Sequence, residues 1–216
     1  MSNRGKEILI WAILVIGLGA IVFGIYGAVA QPGEMNGDVS NLIAPITADD
    51  RTKGSEAAKA VFVEYSDFEC PACGYFYGMI KKLEEEKGDA VRIAYRHFPL
   101  AQHRYARVTA QASEAAGAQG KFWEMHDILF EKQEEWSKST SIQQNLLGYA
   151  MEIGLDVDQF LVDVQASDID EKIDRNVAMG TAQKITGTPS FFLNGKLIQF
   201  RSYEELKQLV EVELSK

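Results

Sequence analysis

The stretch Ala60-Val61-Phe62-Val63-Glu64-Tyr65-Ser66-Asp67-Phe68-Glu69-Cys70-Pro71-Ala72-Cys73 decides how the rest of the chain is read. Its apolar first half reads as a buried strand, and the residues after it, Gly74 to Lys87, follow a helical pattern. A cysteine at a strand-to-helix junction meets unpaired backbone N–H groups and the positive end of the helix dipole, and both favour the thiolate. A second cysteine three positions on stands one helical turn away, within reach of the first sulfur. Cys70 and Cys73 are the only two cysteines among 216 residues, so they make no disulfide scaffold. A loop this short also removes little chain entropy when closed. Zinc asks for four ligands, and neither a second Cys-X-X-Cys nor a histidine at matching spacing is present. The pair therefore reads as a redox-active dithiol, with Cys70 the more exposed nucleophile and Cys73 the inner, resolving thiol.

Hydrophobic residues make up 46% of the chain and charged ones 25%, which is ordinary globular material with room for one substantial core. The net charge is −9, with no Lys/Arg cluster beyond Lys81-Lys82, which excludes a nucleic-acid partner. Ile8 to Ala30 carries no charged residue. As a helix it would cover roughly 35 Å, enough to cross a hydrocarbon core. Arg4 and Lys6 precede it and no Lys or Arg follows until Arg51, so the positive-inside rule places the N-terminus in the cytoplasm and the rest outside. Ala28-Val29-Ala30 also resembles a signal-peptide cleavage site, which leaves a cleaved signal as the alternative to an uncleaved single-pass anchor. Either way the domain is extracytoplasmic, in the periplasm or at the cell exterior, where protein disulfides persist.

Residues 31–59 are polar and read as a flexible tether, with a short apolar piece, Leu42 to Ile46, able to dock on the domain. Ala90 to Tyr95 reads as a second strand, parallel to the first through a right-handed crossover. Helical spacing follows from Tyr105 to Gln119, over Phe122 to Phe130, behind Ser139-Thr140-Ser141, over Asp156 to Val164 and from Asp168 to Ile185. His103 and His126 fall in this block as helix residues; Phe122, Trp123 and Phe130 read as core. Thr188-Pro189 breaks the last helix. Ser190 to Leu193, the turn Asn194-Gly195 and Lys196 to Phe200 then read as a hairpin. Ser202 caps a terminal helix, with Glu205 in the capping-box position.

This order resembles the thioredoxin fold with a helical insertion, as in the membrane-anchored type of DsbA-like thiol-disulfide oxidoreductases. The likeness rests on Glu64 to Cys73, Arg96-His97-Phe98-Pro99-Leu100, Phe122 to His126 and Gly187 to Gly195. It implies an α/β, thioredoxin-like domain over 60–100 and 166–216, with a helical insertion at 101–165. One transmembrane helix within residues 1–30 would precede it. The resemblance implies that Thr188 and Pro189, the latter cis, face the cysteines and bind an extended substrate chain. It further implies that Glu64 is a buried acid assisting proton transfer at Cys73, while Pro71 and Ala72 tune the redox couple. Strongly oxidising members carry histidine where this chain has Ala72, and Asp67 and Glu69 add negative charge near Cys70. The expectation is a milder oxidant with a less stabilised Cys70 thiolate. The implied function is exchange of disulfides with exported proteins, most simply as an oxidase reloaded by a membrane redox partner and without metal or organic cofactor. A reductase or isomerase, or a redox-inert peptide-binding module, are the alternatives.

Overall fold

The computed structural model describes residues 41–42 and 44–216, so the apolar stretch Ile8–Ala30 lies outside the described residues. Among those described, no helix is long and apolar enough to cross a membrane. The centre is strand β2 (Ala60–Ser66), whose residues are buried on both faces apart from Val61. That is why an apolar run without strict alternation becomes a strand here. It is flanked by β3 (Val91–His97), which runs parallel, and by β4 (Ser190–Leu193), which runs antiparallel. Helix α1 (Pro71–Lys87) makes the crossover between β2 and β3. With β1 (Arg51–Lys53) and β5 (Lys196–Ile198) the sheet has the order β1-β3-β2-β4-β5. Glu64 pairs with Tyr95 on one side and Phe191 on the other, so these side chains share a sheet face.

Five helices follow β3: α2 (Ala106–Ala118), α3 (Phe122–Glu131), α4 (Gln133–Trp136), α5 (Ile142–Glu152) and α6 (Val157–Asp163). Helix α7 (Ser167–Ala182) leads back to the sheet, and α8 (Tyr203–Leu214) closes the chain. One apolar layer joins α1 and α8 to the sheet through Phe62, Leu83, Ile93, Leu206 and Val210. On the other face Val63, Tyr65, Ala94 and Phe192 pack with Ile185. Gly180 lets α7 approach here, since a Cβ would stand 2.6 Å from the Phe98 ring. A third core, with Met125, Leu129, Trp136 and Ile173 at its centre, fills the helical block and extends to Phe68, Cys73 and Tyr95.

Several expectations need correction. Residues 51–53 are not tether: β1 pairs antiparallel with β3, Arg51 opposite Tyr95. The reason is Arg96, whose side chain is wholly buried at the end of β3. It bonds Asp50 through both carboxylate oxygens (2.7 and 3.0 Å) and takes the carbonyls of Ala44 and Pro45 as well. A buried guanidinium must find such partners, and the preceding segment supplies them together with the Tyr65 hydroxyl at 2.9 Å. Leu42 does dock, donating its N–H to the Gly195 carbonyl at 2.6 Å. His103 lies before α2, not in it. The return strand ends at Ile198. Ser141 makes no side-chain cap bond at α5. At α8, Ser202 accepts from the Glu205 N–H as a cap should, but the Glu205 carboxylate reaches back to the Arg201 N–H and not to its own cap residue. The turn Asn194-Gly195 has positive φ at both residues, +47° and +80°, as a type I′ hairpin turn requires.

Candidate active site

Cys70 is the N-cap of α1 and Pro71 its first residue, a place where a missing N–H costs nothing. The backbone N–H groups of Ala72 and Cys73 have no helical partner and face the Cys70 sulfur. The thiol of Cys73, 3.6 Å away, faces it too. Both cysteines are free thiols in this structure. The Cys73 thiol first, then the Thr188 hydroxyl and the two backbone groups, lower the Cys70 pKa to about 5 against the opposing effect of burial. Cys73 is fully buried, and that burial pushes its pKa well above the ordinary value. One sulfur thus prefers the anion and the other prefers the proton.

Thr188 and Pro189 lie against this pair: Cys70 Sγ is 3.4 Å from the Thr188 carbonyl oxygen, and the Thr188–Pro189 bond is cis. The Thr188 hydroxyl is buried with no hydrogen-bond partner, free to turn to the sulfur. Pro71 and Ala72 are exposed at the helix start. Glu64 sits beneath, 5% exposed on the same sheet face, and burial raises its pKa to about 7. The structure therefore brings Cys70, Cys73, Thr188, Pro189 and Glu64 together in one place.

The carboxylates of Asp67 and Glu69 are both taken up by hydrogen bonds around the loop that carries Cys70. Asp67 accepts from the Glu69 and Leu100 N–H groups (2.8 and 2.9 Å) and meets His103 Nδ1 at 2.7 Å. Glu69 takes the Tyr105 N–H. They fix the loop that carries Cys70. Gln133 adds to this from α4, donating to the carbonyls of Phe68 (2.6 Å) and Cys70 (2.8 Å). Sequence reading missed Gln133, since nothing local marks a glutamine sixty residues away; Asp67, an Asx-turn residue ahead of a helix, did carry a signal. His126 is buried against Asp127, and burial lowers its pKa to about 4, so it is neutral at pH 7. Among the described residues no group of His, Cys, Asp and Glu could hold a metal ion.

A family model described as Thioredoxin matches residues 47–212. The chain belongs to the thioredoxin family. Among solved structures it is similar to BdbD from Bacillus subtilis, with a TM-score of 0.71 at 24% identity, covering 82% of this chain and 98% of that one. It is similar also to alpha-DsbA1 from Wolbachia pipientis, with a TM-score of 0.69 at 21% identity over 81% and 94% of the two chains. At these identities the likeness is one of thioredoxin fold. Among curated proteins the chain is 32% identical over 204 residues to the Na(+)/H(+) antiporter NhaA of Herminiimonas arsenicoxydans, covering 92% of this chain and 31% of that protein. It is 38% identical over 160 residues to NhaA 1 of Salinispora arenicola, covering 73% and 24%. The chain thus spans a third or less of the length of these relatives, and ion antiport is named for those whole proteins.

Proposed function

We propose that this thioredoxin-family protein is an exported thiol-disulfide oxidoreductase working through Cys70 and Cys73, in the oxidising direction. The observation that carries this is the split between the two sulfurs. A Cys70 thiol lowered to about 5, first by the Cys73 thiol and then by Thr188 and the helix-start N–H groups, makes the dithiol form stable at neutral pH, so the disulfide is readily reduced. In the cycle, a client thiolate bonds to Cys70 Sγ and the Cys70–Cys73 bond breaks toward Cys73. The client's second thiol then attacks the mixed disulfide, leaving an oxidised client and the reduced protein. Thr188 and Pro189 stand where an extended client chain would lie, Pro71 and Ala72 set the exposed rim, and Glu64 serves the proton needs of Cys73. No metal or organic cofactor enters this cycle. Ile8–Ala30 as a single-pass anchor would hold the domain outside the cytoplasm, beside a membrane redox partner that restores the disulfide.

The test is the reduction potential of the full chain, purified in detergent and equilibrated with glutathione buffers. A value on the oxidising side, below but toward the strong-oxidant end at about −120 mV, is expected; one near about −270 mV would make it a reductase. Replacing Cys70 by Ser should abolish exchange, and retained activity would favour a redox-inert peptide-binding module. Alkaline carbonate extraction of membranes should leave the chain in the pellet if the anchor is uncleaved.

A further inference from the structure

Two buried hydroxyls beside the inner cysteine have no hydrogen-bond partner: Ser66 Oγ and Tyr95 OH. Ser66 is 0% exposed and Tyr95 1%, so water does not serve them from outside. Buried polar groups are ordinarily paired, and an exception asks for a reason. Strand geometry gives the setting. Ser66 lies two residues after Glu64 on β2 and so points to the same face, and Tyr95 is the β3 residue in register with Glu64. Cys73, fully buried, covers that face from α1. The Ser66 hydroxyl is close enough to Glu64, Cys73 and Tyr95 to favour the ionised form of each. It is one donor with three claimants.

We propose that the Ser66 hydroxyl is the bridge between Glu64 and Cys73, passing the proton that neutralises the Cys73 sulfur when the disulfide opens. This rests on the oxidoreductase reading above. As the incoming thiolate bonds to Cys70 Sγ, the Cys70–Cys73 bond breaks and its electron pair goes to Cys73 Sγ. That negative charge forms on a fully buried sulfur, where an anion is costly. Ser66 gives its proton to the sulfur and takes the proton of Glu64, so the step ends with a Cys73 thiol, an intact Ser66 hydroxyl and a Glu64 carboxylate. Glu64 can supply that proton because burial keeps part of its population protonated at neutral pH. In the reverse half-cycle the same bridge carries the proton from Cys73 to Glu64. Ser66 is thus a proton relay, and its lack of a fixed partner is what leaves its hydroxyl free to turn between the two. Tyr95, kept protonated by its own burial, offers a second donor at the same spot.

The other groups that act on this pair are Cys70 at the N-cap of α1 and Lys53 from β1, with Lys81 and Tyr77 from α1 and His126 from α3 lining a small cavity together with Glu64. None of these is altered by replacing Ser66. The test compares the full chain with Ser66→Ala, both in the disulfide form. The rate of reduction by glutathione at pH 7 should fall about tenfold, because the Cys73 leaving group loses its donor. The titration midpoint of Glu64, followed by carbon-13 NMR of its carboxyl, should move up, because the hydroxyl that favoured the carboxylate is gone. Thermal stability should hold or rise, since the removed hydroxyl had no partner to lose. A rate within twofold of the unaltered chain would overturn the proposal. So would a slower rate accompanied by a lower melting temperature and an unmoved Glu64 midpoint, which is the signature of damaged packing. If the unaltered chain is itself inert to glutathione, the oxidoreductase reading fails and this one falls with it.

Discussion

The Cys70 sulfur stands at the N-cap of α1, and its charge is favoured first by the neighbouring Cys73 thiol, then by Thr188 and the helix-start N–H groups. Alkylation of the reduced protein by iodoacetamide should therefore titrate with a midpoint near the value of about 5 and be flat through neutral pH. A midpoint near 8, close to an ordinary thiol, would remove the basis of the oxidase reading. Glu64 predicts the opposite pH behaviour. Its folded pKa is raised from 4.5 to about 7, so between these values the folded state holds a proton that the unfolded state has lost. Stability then falls as pH rises through that window, by roughly 3 kcal/mol in all at about 1.4 kcal/mol per unit. Buried His126, lowered to about 4, makes the opposite contribution below its ordinary value of 6.5, so the Glu64 part is read as a difference between two chains. Urea unfolding of the disulfide form at pH 5 and pH 8 should show Glu64→Gln gaining stability relative to the unaltered chain as pH rises, and an unchanged difference would place the pH dependence elsewhere.

Among the elements, the segment before β1 is tied to the sheet by a buried cation, Arg96. Arg96 has no exposed side-chain surface and Asp50 only 2%, so removing Asp50 strands a guanidinium among apolar groups and carbonyls. Asp50→Ala should cost about 3–5 kcal/mol, read from the urea midpoint, whereas exposed pairs such as Lys138–Glu134 should cost less than about 1 kcal/mol. A small loss for Asp50→Ala would mean that water reaches Arg96 and that the segment is dispensable. The helical block has a parallel task at the site. Gln133 reaches from α4 to the carbonyls of Phe68 and Cys70, so the block fixes the loop that presents Cys70 as well as enlarging the core.

For the molecule as a whole, the site's charge preference is linked to the stability of its two redox forms. A folded Cys70 pKa far below the unfolded one adds stability to the dithiol form as pH rises from about 5, and this contribution is lost as pH falls back through that value. The disulfide form has no such contribution. Calorimetry with and without reductant should find the reduced protein the more heat-stable of the two at pH 7, with the gap narrowing toward pH 5. A disulfide form that melts higher at pH 7 would mark the bond as a stabilising one, and oxidation of clients would then be uphill.

The local signals were strong wherever a short stretch carries its own physics. The apolar β2 run, the helix start at Cys70-Pro71, the Asn194-Gly195 turn and the apolar faces of α2, α3 and α7 were all legible, because turn chemistry and side-chain period are properties of neighbours in sequence. So was the closeness of Cys70 and Cys73, which needs only one helical turn. What the tertiary structure alone decided concerns partners far apart in the chain. Alternation along β2 could not say which face Glu64 takes; its register with Tyr95 and the cover of Cys73 settle that. The charges of Asp67 and Glu69 were visible, but the backbone N–H groups that engage them come from Leu100 and Tyr105 as well as from the loop itself. The polar stretch before β2 looked like tether because its composition is that of a loop, and it becomes β1 through a demand made forty-odd residues later by Arg96. Sequence specifies what each segment can form, whereas a buried charge or hydroxyl takes its meaning from whichever distant group the fold brings within about 3 Å.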